Sequence, residues 1–91
     1  MYKIVYTRRF LKDFKKCSKS GVNFREKLNE VIEFLESKHP LPEKYKDHKL
    51  NGEWGGYREC HILFDLLLVY KYYDHEKRVE FVTLGTHDTL F

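Results

Sequence analysis

Apolar and polar side chains alternate from Tyr2 to Tyr6, placing Tyr2, Ile4 and Tyr6 on one face, the period of a half-buried strand. The period then lengthens. Phe10, Leu11, Phe14 and Cys17 recur at helical spacing behind Thr7, whose hydroxyl suits an N-cap. Gly21 predicts a C-terminal cap for that helix, and Asn23 with Glu26 a variant capping box for a second. The second helix carries the stripe Phe24, Leu28, Val31, Ile32 and Leu35, and His39-Pro40-Leu41-Pro42 stops it, because proline disfavours α geometry in the residue before it. From Tyr45 onward the pattern becomes one of strands and turns. A short segment surrounds His48 and Leu50, followed by an Asn51-Gly52 turn, Trp54 and a strand from Tyr57 to Ile62. A stronger, nearly continuous apolar run covers Leu67 to Tyr73, and Asp74-His75-Glu76-Lys77 turns the chain into a last strand, Val79 to Gly85. The order predicts βαα followed by three or more strands. This is an α+β plan in which two N-terminal helices cover one face of a mostly antiparallel sheet, within a single domain spanning 1–91.

Composition narrows the class. With 42% hydrophobic and 34% charged residues among 91, the chain is neither disordered nor low in complexity. The run from Ile62 to Tyr70 is broken by Asp65 and falls short of the roughly 20 residues of a membrane helix, so no membrane partner is expected. The first residues lack the order of a secretory signal, which predicts a cytoplasmic protein. Cys17 and Cys60 have no CxxC spacing and are expected to be reduced thiols. Charge is uneven: residues 1–20 hold seven basic side chains and one acidic, whereas 21–91 hold ten and thirteen. Arg8, Arg9, Lys12, Lys15, Lys16 and Lys19 therefore gather on the first helix, where they serve either as a solvated face or as a phosphate-binding surface.

Three of the five histidines, His48, His61 and His87, fall where strands meet turns. Asp65 follows His61 by four residues between two apolar strands, where a carboxylate is expected to be desolvated unless paired. Zinc would require ligands converging at about 2.0–2.2 Å, and the close-spaced ligand pairs that usually supply them are missing, so no metal or other cofactor is expected. Metal-free RNA cleavage instead needs one group to take the ribose 2′-hydroxyl proton, another to protonate the departing 5′-oxygen, and cations to offset phosphate charge. Imidazole suits both proton roles.

The chain runs through Tyr45-Lys46-Asp47-His48 and Leu50-x-Gly52-x-Trp54-x-Gly56-Tyr57-Arg58-Glu59-x-His61. It continues with Asp65-x-Leu67-Leu68-Val69-Tyr70 and Gly85-Thr86-His87-x-x-Leu90-Phe91. In these residues it resembles the YafQ branch of the RelE/ParE toxin superfamily. The resemblance implies a RelE-like fold and the toxin of a bacterial type II toxin-antitoxin system, a ribosome-associated endoribonuclease that cuts mRNA and inhibits translation. It places the active site on His48, His61, Asp65, His87 and Phe91. His87 would be the general acid, His48 with Asp65 the base side, and His61 a group that positions substrate or shares the proton work. Arg58 would offset phosphate charge, Phe91 would stack on a base, and the basic first helix would grip ribosomal RNA. The implied partners are a cognate antitoxin, mRNA and the ribosome, with operator DNA reached only through the antitoxin complex. Phe64, Leu66 and Lys49 depart from residues frequent beside the family's site. The alternatives are a ParE-like gyrase-inhibiting toxin and a non-catalytic RNA-binding module.

Overall fold

The computed structural model describes residues 1–91, apart from the side chain of Ser20. Strand β1 (Lys3–Tyr6) leads through Thr7 into helices α1 (Arg8–Cys17) and α2 (Val22–Glu36). Strands β2 (His48–Lys49), β3 (Arg58–Leu63), β4 (Leu66–Tyr73) and β5 (Arg78–Gly85) follow, and then a short helix α3 (His87–Leu90). The sheet order is β1-β5-β4-β3-β2, with β1 parallel to β5 and every other neighbour antiparallel. The α+β plan expected from the pattern is the one observed. No helix among the described residues is long and apolar enough to cross a membrane.

Thr7 does cap α1: its Oγ1 accepts from the Phe10 N–H at 3.0 Å and donates to the Val82 carbonyl at 2.6 Å, tying the helix start to β5. The junction between the helices differs from expectation. The chain continues past α1 in a 3₁₀ turn, Ser18–Ser20, and Gly21, at φ 96°, immediately precedes α2. That φ favours glycine, so the redirection of the chain fixes the helix start there. Asn23 consequently lies inside the first turn, and the Asn23–Glu26 capping box does not form. Gly52, at φ 65°, opens a 3₁₀ turn rather than a two-residue hairpin, so 50–57 connects β2 to β3.

Phe10 from α1 and Phe24, Leu28, Val31 and Leu35 from α2 pack on Cys60, Ile62, Leu68, Tyr70, Val79, Phe81 and Leu84 of the sheet. Each fully buried large apolar side chain there contributes roughly 1.5–3 kcal/mol. Leu11, expected in the α1 stripe, is 49% exposed. Asp13, the one acid of α1, accepts from the Thr83 hydroxyl at 2.6 Å and the Leu84 N–H at 3.1 Å. It thereby satisfies a β5 backbone group beyond the end of β1.

The other face of the sheet, free of α1 and α2, positions the chemistry. Alternation puts Glu59 and His61 of β3 opposite Val69 and Leu67 of β4 on this helix-free side, and both apolar residues are buried. Burial on two faces explains the unbroken apolar run of β4. Gly85 shares that side, and α3 folds back over it so closely that a Cβ at Gly85 would meet Thr89 Oγ1 at 2.6 Å and Leu90 at 3.1 Å. A capping box closes α3: the Thr89 N–H donates to Thr86 Oγ1 at 3.2 Å, and the Thr86 N–H to Thr89 Oγ1 at 2.9 Å.

Candidate active site

Register places His48 of β2 directly across from Glu59 of β3. Glu59 is 4% exposed, and its Oε1 lies 3.4 Å from His48 Nε2 and 3.8 Å from His61 Nε2. The other nitrogen of each ring meets a backbone carbonyl, His48 Nδ1 at 2.8 Å from Lys46 O and His61 Nδ1 at 3.3 Å from Phe64 O. A carbonyl only accepts, so both rings donate from Nδ1. Nε2 is then the atom left to take or release a proton, with a carboxylate beside it to balance the imidazolium.

His61, Asp65 and His87 line one cleft of about 440 Å³ beside the β3–β4 turn, a volume within the roughly 300–1,000 Å³ of ligand-sized sites. Phe91 packs on His87 with ring centroids 5.4 Å apart. Three of the expected residues thus line the cleft, His48 joins His61 through Glu59, and Phe91 joins through His87. Two expectations are corrected. Asp65 is exposed in the turn rather than desolvated between strands, because the two-residue turn Phe64-Asp65 projects beyond the sheet. The carboxylate against His48 is Glu59, not Asp65.

Arg58 lies elsewhere. Its Nη2 donates to Asp47 Oδ2 at 2.8 Å and its Nε to Asp47 Oδ1 at 3.3 Å, while the Tyr70 hydroxyl donates to the same carboxylate. Asp47 holds the guanidinium pKa up. The Tyr70 phenol is pushed up by burial first and by Asp47 second. Asp47, just before β2, and Arg58, the first residue of β3, each precede a site residue, so alternation turns them to the helix side, where they clamp the two-residue β2 onto β3 behind His48 and Glu59.

The cations that do line the cleft are Lys27 of α2 with Lys44 and Lys46 from the loop before β2. Nothing in the local pattern marks them, since only the tertiary fold brings α2 to that loop. Glu59 had a signal: two residues before His61 on one strand, it shares that face. Phe64, 95% exposed, also lines the cleft. Arg8, Arg9, Lys12, Lys15, Lys16 and Lys19 are all exposed, and with Asp13 turned to β5 the outer surface of α1 is cationic. Among the described residues no three His, Cys, Asp or Glu are arranged to hold a metal ion.

Residues 2–91 match the family described as the bacterial toxin of type II toxin-antitoxin system, YafQ. The chain belongs to the YafQ toxin family. It is 36% identical over 88 residues to the mRNA interferase toxin YafQ of Escherichia coli K12, covering 97% of this chain and 94% of that protein. Among solved structures, a metal-bound toxin from Helicobacter pylori is similar with a TM-score of 0.90 at 41% identity, covering 100% of both chains. YafQ in the E. coli DinJ-YafQ complex is similar with a TM-score of 0.85 at 38% identity, covering 100% of this chain and 99% of that one. Within this YafQ-family chain, the helix-free sheet face and α3 therefore form the candidate active site of a type II toxin.

Proposed function

We propose that this toxin is an endoribonuclease that cuts mRNA by metal-independent acid–base catalysis and so inhibits translation. The observation that carries the reading is the pair of imidazoles whose Nε2 atoms meet one buried carboxylate, next to the cleft that His61, Asp65 and His87 share at the β3–β4 end of the sheet. The E. coli relative's name, mRNA interferase, supports the substrate class. Nε2 of His48 or His61 takes the 2′-hydroxyl proton, and Glu59 stabilises the imidazolium that results. The 2′-oxygen forms a bond to the adjacent phosphorus as the bond from phosphorus to the 5′-oxygen breaks. His87 protonates the departing oxygen, leaving a 2′,3′-cyclic phosphate and a 5′-hydroxyl. Lys27, Lys44 and Lys46 offset charge growing on the phosphate, Asp65 balances a protonated imidazole in the cleft, and Phe91 stacks on a base. Each proton-transfer group contributes on the order of 10²–10⁴ in rate.

The cationic surface of α1 grips ribosomal RNA phosphates, an attraction that weakens steeply with salt. The same surface takes an acidic segment of a cognate antitoxin, as the DinJ-YafQ complex supports for the partner class. Operator DNA is reached only through that complex, and the toxin acts in the bacterial cytoplasm. Expression of the chain and of His87→Ala, with mRNA integrity followed in cells and in purified reactions with and without chelator, tests the proposal. Growth arrest with mRNA cut by the wild type alone, chelator or not, is the expected result. Gyrase inhibition with intact mRNA would establish the ParE-like alternative, and chelator-sensitive cleavage would overturn metal independence.

A further inference from the structure

The helix-free face continues past the histidines. Tyr57, two residues before Glu59, has its ring 5.0 Å from Lys71 Nζ, and the same ammonium lies 5.0 Å from the Tyr73 ring. At the far end of this row the Arg78 guanidinium carbon sits over Tyr73, 3.8 Å from its ring centroid. In the opposite direction Tyr57 packs edge-on against Trp54 at 5.5 Å, and Trp54 against Phe91 at 6.0 Å, next to His87. Rings and cations therefore succeed one another without a gap from the proposed general acid to the start of β5. The remaining tyrosines of β4 behave differently. Tyr70 is 1% exposed, and the Tyr72 hydroxyl donates to Leu35 O at 3.1 Å, both towards the helices.

None of Trp54, Tyr57, Lys71, Tyr73 and Arg78 is buried. Acids stand nearby: Glu76 lies 3.4 Å from Arg78 Nε, and Glu80 is across from Lys71 in the register. Among the described residues Lys71 makes no ion pair, its ammonium being held only between two rings. Core packing does not account for half-exposed rings interleaved with cations. A single nucleic-acid strand offers the complement, a flat base and a phosphate at every step.

We infer that this row is a binding track for the single-stranded RNA flanking the scissile phosphodiester, with bases stacking on Trp54, Tyr57 and Tyr73 and phosphates meeting Lys71 and Arg78. The inference rests on the nuclease reading of the same face. An acidic antitoxin segment would meet the cations but has no use for the alternating rings, so RNA is the occupant favoured.

The test is equilibrium binding of fluorescein-labelled RNA oligonucleotides of increasing length to the His87→Ala protein, alone and carrying Lys71→Gln or Tyr73→Leu. Affinity of the parent rises with length as the strand reaches along the row. Each added substitution weakens binding of the longest oligonucleotide about tenfold. Lys71→Gln also lowers the slope of log affinity against log salt by about 0.7. Lys71 lies at the surface, so its variant carries the test even if Tyr73→Leu fails to fold. Unchanged affinity and slope in both variants, with the wild type still cutting RNA, overturns the track and leaves the nuclease reading standing. Weakened antitoxin binding with unchanged RNA affinity overturns it as well, and a wild type that cuts no RNA overturns both.

Discussion

Gly85→Ala adds one methyl group at the point where β5 hands the chain to α3, and the structure sets its cost. The new Cβ would stand 2.6 Å from Thr89 Oγ1 and 3.1 Å from Leu90 Cδ2, whereas non-bonded carbon contacts settle near about 3.5–4.0 Å. The nearer clash is with a side chain locked in the α3 capping box, so it cannot simply rotate away. Relief therefore requires α3 to move by about 1 Å. The helix buries none of its residues, so the shift costs little stability, but it carries His87 and Phe91 away from the cleft. A misplacement of that size lowers a catalytic rate by about 10²-fold, or about 2.7 kcal/mol of barrier. Single-turnover cleavage of a labelled RNA, read beside a thermal melt, measures both effects. The expected outcome is a rate near one hundredth of wild type with a melting temperature changed by only a few degrees. Wild-type cleavage by Gly85→Ala would refute the claim that α3 places the general acid.

Glu59→Gln keeps the shape of the buried side chain and removes its charge. At 3.4 Å from His48 Nε2, that charge is worth about 1–5 kcal/mol to an imidazolium for effective dielectrics of about 80 down to 20. The cleavage rate should fall at least about fivefold with the fold intact by circular dichroism; an unchanged rate would remove Glu59 from the mechanism. Asp47→Ala strips the partner from Arg58 and from the buried Tyr70 hydroxyl, costing about 3 kcal/mol and lowering the melting temperature by on the order of 10–20 °C. A shift below a few degrees would show that the clamp behind β2 is dispensable. Burial, followed by Glu30 for Tyr45 and Asp47 for Tyr72, raises both phenols to about 12. The folded state thus keeps protons that the unfolded chain releases. Its stability is fully present below about pH 10 and is lost as pH rises through about 12. Phenolate absorbance for these two groups should appear only as the chain unfolds, and ionisation near pH 10 with the fold intact would contradict their packing.

The α1 and α2 stripes, the Thr7 cap and the three long strands were legible because each is a period of apolar side chains sustained over several turns or pleats. The strand ends moved by a residue or so, as pairing rather than composition decides them. Gly21 misled because a glycine after a helix suits a C-cap, yet its φ of 96° also sets where the next helix begins. The four-residue α3 is too short to show any period, and only the contact of Thr89 and Leu90 with Gly85 makes it visible. At the site, His48, His61, His87 and Asp65 stood out by residue type and position, and Phe91 only through the family resemblance. The convergence of His61, Asp65 and His87 on one cleft, with His48 joined through Glu59 and Phe91 through His87, depended on antiparallel register, which the sequence does not spell out. The same register exchanged the partner of His48 from Asp65 to Glu59 and turned Arg58 towards Asp47. Lys27, Lys44 and Lys46 were ordinary surface cations until the fold brought α2 beside the loop before β2.

The central claim is that imidazoles on the helix-free face use the RNA's own hydroxyl as nucleophile. An RNA oligonucleotide containing one cleavage site, paired with an otherwise identical strand bearing a 2′-deoxy sugar on the 5′ side of that phosphate, tests it most directly. Incubation with the purified toxin in the presence of chelator should cut the first strand, leaving a 2′,3′-cyclic phosphate and a 5′-hydroxyl, and spare the second. Cleavage of both strands at the same phosphate would contradict the account.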